Sequence, residues 1–170
     1  MKLLSVALAT AVLVLAAACG GAGTAAPNQV VFNADLATAN EVPPIADDEK
    51  SGSGKAVVTF DLTRDSAGKI SAATAKFNIT LSGFPTSTKI ILAHIHNAPA
   101  GQNGGVKVDT GLKADSAIAL TSGGTTIDKS SITVDAALAQ DIVDNPANYY
   151  VNVHSTVHSG GVVRGQLVKK

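Results

Sequence analysis

Two neighbouring stretches of this chain alternate between apolar and polar residues with a period of two. The apolar positions are Ala56, Val58, Phe60 and Leu62 in the first stretch and Ala73, Ala75, Phe77, Ile79 and Leu81 in the second. This period is typical of a β-strand with one buried face, because successive side chains of a strand point to opposite sides. Residues 64–68 separate the stretches and have the composition of a turn, so the sequence predicts a β-hairpin.

Shorter runs of the same kind continue along the chain. They predict strands over residues 88–96, 106–112, 116–121, 131–134, 149–154 and 162–168, with glycine-rich turns between many of them. One helix is predicted over residues 135–143, with Asp135 as its N-cap and Pro146 as part of its stop signal. The chain has no tryptophan and few other aromatic residues, so Val, Ile, Leu and Ala must form most of the core. The prediction is an all-β fold: an antiparallel β-sandwich or Greek-key barrel with one short helix.

The first twenty residues have the character of a targeting signal. Lys2 supplies a positive charge, and residues 3–18 are uncharged, rich in Ala, Leu and Val, and short for a membrane span. Residues 15–20 read Leu-Ala-Ala-Ala-Cys-Gly and resemble the lipobox of bacterial lipoproteins, whose signal peptide is cut before a cysteine that carries lipid. Cys19 is the only cysteine, so no intrachain disulfide can form.

These features predict three regions. Residues 1–18 are a lipoprotein signal peptide, residues 19–28 are the lipidated Cys19 with a flexible tether, and residues 29–170 are one β-domain. The lipid anchor would hold the domain on a membrane of the cell envelope outside the cytoplasm, in the periplasm or on the outer surface. The alternative is an ordinary secretory signal with an incidental cysteine.

The charge of the chain argues against a nucleic-acid partner. Without Lys2, 12 basic residues stand against 13 acidic ones, and no basic run or stripe is present. A nucleic-acid-binding surface needs a concentration of positive charge that this sequence does not have.

The four histidines of the chain form two close pairs, His94 with His96 and His154 with His158. Neutral imidazole is the commonest metal ligand in proteins, so the pairs predict one metal site with all four residues as candidate ligands. Copper is the expected ion and zinc the second choice, because imidazole suits both and no thiolate is available. His158 follows the end of a predicted strand, so its position is the least constrained.

Strand geometry predicts which way the histidines point. His94 and His96 should share one face of their strand, together with Ile90 and Leu92. Residues two apart on one face are roughly 7 Å apart, and imidazoles at that spacing can reach one metal ion. The site therefore depends on the fold bringing His154 to this face.

Other polar residues could support the site. Asp109 is the nearest carboxylate that could join the histidines as a ligand. It could equally be an ordinary solvent-exposed residue on the polar face of a strand. Asn152 shares a strand face with His154 and could orient an imidazole. Arg164 is expected to form a structural bridge, and the acidic residues 47–49 are expected to form a solvated loop.

Four blocks of sequence resemble the CHRD domain, a module named after chordin that occurs in many bacterial secreted proteins. The blocks are residues 41–44 (Glu-Val-Pro-Pro), residues 93–96 (Ala-His-Ile-His) with the glycine-rich residues 100–105, residues 150–155 (Tyr-Val-Asn-Val-His-Ser) and residues 164–167 (Arg-Gly-Gln-Leu). The resemblance covers residues 29–170 and implies a β-rich extracellular domain; in chordin the module belongs to a protein that sequesters growth factors. Between the last two blocks the family usually has a proline and an acidic residue, whereas this chain has His158.

The sequence contains no nucleophile elbow, H-E-x-x-H motif, phosphate loop or dinucleotide fingerprint, which argues against an enzyme. Two hypotheses stay open. The first is a surface-tethered metal-binding domain that uses its histidines for storage, delivery or electron transfer of copper. The second is a binding or structural module of the envelope, with an unidentified envelope protein as its partner and histidines that only brace loops.

Overall fold

The computed structural model describes residues 28–170 of the chain. The predicted signal peptide, Cys19 and residues 20–27 of the predicted tether lie outside the described residues. Within residues 28–170, no helix has the length and hydropathy that a membrane-spanning segment needs.

Ten β-strands and one α-helix follow one another along these residues. The strands are β1 (Asn28–Ala37), β2 (Ser53–Arg64), β3 (Ile70–Ser82), β4 (Lys89–Asn97), β5 (Gly105–Asp109), β6 (Ile118–Ala119), β7 (Thr125–Val134), β8 (Tyr149–Ser155), β9 (Val163–Gln166) and β10 (Val168–Lys169). The helix α1 (Ala136–Asp144) connects β7 to β8. Single turns of 3₁₀ helix occupy Thr38–Asn40, Asp48–Ser51, Ala114–Ser116 and Pro146–Asn148.

The strands form one antiparallel sheet in the order β5-β4-β8-β9-β1-β2-β3-β7, with β10 added to β1 and β6 added to β4. This sheet curves into a nearly closed barrel. Curvature of this kind turns one face of every strand toward a common interior, which the apolar side chains fill. The prediction of an all-β sandwich or barrel with one short helix is confirmed.

The hairpin predicted from the alternating residues is the longest pairing in the sheet. β2 and β3 pair from Ser53 opposite Ser82 to Arg64 opposite Ile70. The alternate apolar residues that predicted the hairpin all point into the core, and none is more than 5% exposed. Burial of these side chains stabilises the barrel by removing apolar surface from water.

Three local predictions have different outcomes. The helix is present, and the Asp135 carboxylate accepts hydrogen bonds from the backbone N–H groups of Ala137 and Leu138, as its N-cap role requires. The strand predicted over residues 116–121 is reduced to the two residues of β6. Strand β1 was not predicted, although its buried Phe32 packs edge-on against Phe60 with ring centroids 5.4 Å apart.

An irregularity in β4 determines which side chains face outward. The register of β4 against β8 shifts between Ile90 and Leu92. As a result Ile90 lies in the core, whereas His94 and His96 lie on the opposite, outer face of the sheet. The expectation that Ile90 shares a face with the histidines is therefore wrong, because the shift breaks the strict alternation on which it depended.

Candidate metal centre

Strands β4 and β8 are neighbours and carry three histidines on the outer face of the sheet. In their register His94 lies opposite Asn152, and Leu92 lies opposite His154. Although this face is turned away from the core, His94 and His96 are each 7% exposed and His154 is 4% exposed. Loops on either side cover the histidines, so the imidazoles are buried between the sheet and these loops.

The three imidazoles converge. One nitrogen from each of His94, His96 and His154 lies within 4.8 Å of the other two, and the ring centroids are 5.0–5.7 Å apart. Two nitrogens that bind one copper or zinc ion at about 2 Å are themselves about 3–4 Å apart. The prediction that these three histidines come together is confirmed, and we refer to them as the histidine triad.

His96 is held in one orientation by the loop before β5. Its Nδ1 donates to the carbonyl oxygen of Gly104 at 2.9 Å, and the N–H of Gly104 donates to Tyr150 Oη at 3.2 Å. The Tyr150 ring also stacks on the imidazole, with centroids 5.0 Å apart and planes at 15°. Because a carbonyl can only accept, the proton of His96 is on Nδ1, and its buried Nε2 keeps a lone pair that has no hydrogen-bond partner.

His154 is oriented in the same way. Its Nδ1 donates to the carbonyl oxygen of Ser159 at 2.9 Å, so its Nε2 also carries a lone pair. That Nε2 lies 3.2 Å from Nδ1 of His94, while Nε2 of His94 lies 3.5 Å from the Asp109 carboxylate. Without a metal, Nδ1–H of His94 can therefore donate a hydrogen bond to Nε2 of His154. For Nδ1 of His94 to bind an ion, its proton must move to Nε2, where the Asp109 carboxylate faces it.

Burial lowers the pKa of all three imidazoles. For His154 this effect exceeds the opposing effect of the Ser159 hydrogen bond and lowers the pKa to about 4. The pKa values of His94 and His96 are also lowered, chiefly by burial, although Asp109 opposes the shift at His94. The triad is therefore uncharged at neutral pH and can bind a metal ion without first losing protons.

Arg164 supports the site from the far side of Tyr150. Its guanidinium lies 4.7 Å from the Tyr150 ring centroid and is hydrogen-bonded to the carbonyl of Asn40 at 2.6 Å, the carbonyl of Gln102 at 3.1 Å and Oδ1 of Asn103 at 2.8 Å. The side chain is 1% exposed. Arg164 thus bridges β9, the segment after β1 and the loop that orients His96, through carbonyl oxygens and not through a carboxylate.

His158 is not part of the triad. Its Nε2 lies 2.8 Å from Oδ2 of Asp47 and 3.8 Å from Oε2 of Glu49. Among residues 28–170, the group of side chains close enough to share an ion contains His94, His96 and His154. The structure therefore brings together three of the four candidate ligands and pairs the fourth with an acidic loop.

In the acidic loop of residues 47–49, which was predicted to be solvated, one residue is buried. Glu49 is 4% exposed, and its carboxylate accepts hydrogen bonds from Thr88 Oγ1 at 2.8 Å and Ser155 Oγ at 2.6 Å. The prediction of a solvated loop over residues 47–49 is therefore wrong for Glu49, because this carboxylate satisfies two buried hydroxyl groups.

Comparison with known protein families matches residues 32–167 to the CHRD domain. The chain belongs to the CHRD family. CHRD domains are extracellular or secreted, which agrees with an extracytoplasmic location. No curated protein and no solved structure shows a significant match to the chain.

The sequence blocks that resemble the family surround the triad in this CHRD domain. The block at residues 93–96 supplies two histidines, the glycine-rich residues 100–105 orient His96, and the block at residues 150–155 supplies Tyr150 and His154. Glu41, from the first block, is buried near Arg164, and burial raises its pKa to about 7 despite that positive charge. The family resemblance and the candidate site thus coincide in one part of the fold.

Two important groups of the CHRD site gave no side-chain signal in the sequence. They are the backbone carbonyls of Gly104 and Ser159, which fix the tautomers of His96 and His154. Gly104 itself was the one residue that could have indicated this loop. The loop needs a glycine there, because a Cβ at position 104 would lie 1.8 Å from the carbonyl oxygen of Asn97. The expected partner Asn152 is buried, but its Oδ1 has no hydrogen-bond partner.

Proposed function

We propose that this CHRD domain binds one transition-metal ion through His94, His96 and His154. The proposed ion is copper, with zinc as the second choice, because nitrogen donors bind Cu²⁺ more tightly than Zn²⁺. The role that fits such a site on a secreted or anchored domain is storage, delivery or electron transfer. His158 is left out of the ligand set because it pairs with Asp47.

The observation that carries this proposal is the orientation of the imidazoles. Backbone carbonyls take the Nδ1 protons of His96 and His154 and leave two Nε2 lone pairs directed away from those carbonyls. A carbonyl that accepts the second ring proton is the usual partner of a metal-bound histidine. The unpartnered, buried Nε2 of His96 is difficult to explain as a purely structural feature, since an unpaired polar atom costs free energy.

Calorimetric titration of the full-length protein with Cu²⁺, with Zn²⁺ and, under anaerobic conditions, with Cu⁺ tests the proposal. We expect one ion per chain with micromolar or tighter affinity, and loss of that binding in both His94→Ala and His154→Ala. The matched control is His158→Ala, which removes a histidine outside the triad and should keep the affinity. Absence of binding of all three ions to the wild type, or binding by the two triad variants that equals that of the wild type, would contradict the proposal.

The alternative function is a binding or structural module of the cell envelope. Its specific support is that the same hydrogen bonds to Gly104 and Ser159 would brace two loops even without a metal. In that case the triad variants would lose stability but the wild type would show no stoichiometric binding of copper or zinc. The titration above therefore separates the two functions.

We further propose that the domain is a lipoprotein, anchored to a membrane of the cell envelope through lipid on Cys19. The sequence before Cys19 supports this, because it resembles a lipobox and the cysteine has no possible disulfide partner in the chain. Fractionation of cells should recover the wild type with membranes. Cys19→Ala should lose this association, whereas Thr24→Ala in the predicted tether should keep it; membrane recovery of Cys19→Ala would contradict the anchor.

A further inference from the structure

The oxidation state of the proposed ion can be inferred from the charge of its ligands. The three triad residues are neutral imidazoles, and within the described residues no carboxylate or thiolate belongs to the group that could share an ion. A divalent ion would therefore keep its full double charge in a buried place. Because the desolvation free energy of an ion grows with the square of its charge, this costs about four times as much as for a monovalent ion.

Among the residues that the structure describes, no charged group around the triad is an anionic ligand that would compensate a divalent ion. The buried guanidinium of Arg164 is positive and lies over Tyr150, which stacks on His96. The nearest carboxylate, Asp109, has a side chain that is 62% exposed and contacts the outer nitrogen of His94 at 3.5 Å. Water screens an exposed carboxylate far more than a buried guanidinium. The buried Glu41 lies near Arg164, but burial raises its pKa to about 7, so at neutral pH this carboxyl offsets the guanidinium charge only in part.

The number and geometry of the donor atoms also favour a monovalent ion. Two strands and two loop carbonyls hold three nitrogens, and His158 is engaged by Asp47. Cu²⁺ prefers four or more donors in a tetragonal arrangement, and Zn²⁺ held by three histidines takes a water molecule as its fourth donor. The cuprous ion is stable with three neutral donors and needs no anion to complete its shell.

We infer that the site is selective for Cu⁺ over Cu²⁺ and Zn²⁺. This inference rests on the proposed function, namely that the triad binds a metal, and it further specifies the oxidation state of that metal. The Cu⁺ preference follows from three observations: the donors are neutral, the guanidinium of Arg164 is buried beside Tyr150, and the ligand set contains no anion.

Competitive titrations of the full-length protein under anaerobic conditions test this inference. Cu⁺ is supplied with bicinchoninate as the competing chelator, and Cu²⁺ is supplied separately with glycine as the competitor. We expect the dissociation constant for Cu⁺ to be at least about 100-fold smaller than for Cu²⁺, which raises the reduction potential of the bound ion by about 120 mV over the free couple at 59 mV per tenfold. Equal or tighter binding of Cu²⁺ or Zn²⁺ overturns the inference but leaves the metal-binding proposal intact, whereas absence of all binding overturns both.

Two nearly isosteric variants test the electrostatic cause. Asn152→Asp places a carboxylate on the strand position opposite His94 and should reduce the preference for Cu⁺ by at least about tenfold. Asp109→Asn removes an exposed charge and should increase the preference or leave it unchanged. A smaller preference in Asp109→Asn, or an unchanged one in a folded Asn152→Asp, overturns the inference. The Asp109 variant keeps this test decisive if Asn152→Asp does not fold.

Discussion

Nδ1 of His94 lies 3.2 Å from Nε2 of His154, although the two residues are 60 positions apart in the chain. The pairing of β4 with β8 places the two strands side by side, and the loops with Gly104 and Ser159 then set which nitrogen of His96 and His154 holds a proton. The two strands and their loops thus bring one nitrogen from each of three histidines within 4.8 Å of one another.

Acid should destabilise the metal-free protein between about pH 6.5 and pH 4. The pKa of His154 is about 4 in the folded protein but about 6.5 in an unfolded chain. The unfolded state therefore binds more protons in this window, and stability falls as the pH falls, by up to about 3 kcal/mol from this residue. Chemical denaturation at pH 7 and pH 4.5 measures the loss.

The variant His154→Gln should lose less stability than the wild type over the same pH interval, because its side chain does not titrate. The control His158→Gln keeps all three buried imidazoles and should lose as much as the wild type. An identical loss in wild type and His154→Gln would show that burial of His154 does not govern the acid response.

Replacement of Gly104 should weaken metal binding. A Cβ at Gly104 would lie 1.8 Å from the carbonyl oxygen of Asn97, whereas a Cβ at the neighbouring Gly105 would meet no atom within 4 Å. Gly104→Ala must therefore displace the carbonyl that orients His96, and we expect the affinity for copper to fall by about 10–100-fold, as for other groups that orient a ligand. Gly105→Ala is the matched control and should bind as the wild type does. Equal affinities of the two variants would argue against the role of this loop.

The hydroxyl of Tyr150 should matter for the site, whereas that of Tyr149 should matter only for stability. Tyr150→Phe keeps the ring on His96 but leaves the Gly104 N–H without its acceptor, so the affinity for copper should fall. Tyr149→Phe removes the hydroxyl that donates to Asp141 in α1 and should lower the free energy of unfolding by about 1 kcal/mol with unchanged copper affinity. Calorimetry and denaturation of both variants separate the effects, and a weaker copper affinity in Tyr149→Phe alone would refute this assignment.

The buried carboxylate of Glu49 should stabilise the fold. Glu49→Gln keeps only one oxygen to accept from Thr88 and Ser155, so one buried hydroxyl loses its partner. We expect a loss of about 1–3 kcal/mol in the free energy of unfolding. Asp48→Asn, at the exposed neighbouring position, should change stability by less than about 0.5 kcal/mol. An unchanged free energy of unfolding in Glu49→Gln would contradict the stabilising role of the second carboxylate oxygen.

The alternating apolar residues made most of the fold predictable. Their period fixes the buried face of each strand of the β2–β3 hairpin, and the sequence also contained the N-cap of α1 at Asp135. Strand β1 carries the same alternation and could have been recognised. The register shift between Ile90 and Leu92 could not have been recognised, because nothing in the local sequence marks the position at which the inward–outward alternation of β4 is interrupted.

The candidate site was predictable only in part. The sequence identified the histidines and marked His158 as the least constrained of them, but it could not show that His154 joins the triad whereas His158 pairs with Asp47. That difference depends on which loop each residue meets, a long-range property. The groups that set the tautomers are backbone carbonyls, which any residue type provides, so no side-chain pattern reveals them.

Anomalous diffraction from crystals of the copper-loaded protein tests the central claim most directly. We predict a single copper peak per chain, about 2 Å from one nitrogen each of His94, His96 and His154. A copper peak beside His158 and Asp47 would contradict the assignment of the triad as the metal centre. So would the absence of a peak at the triad in crystals grown at a copper concentration that saturates the protein in the titration.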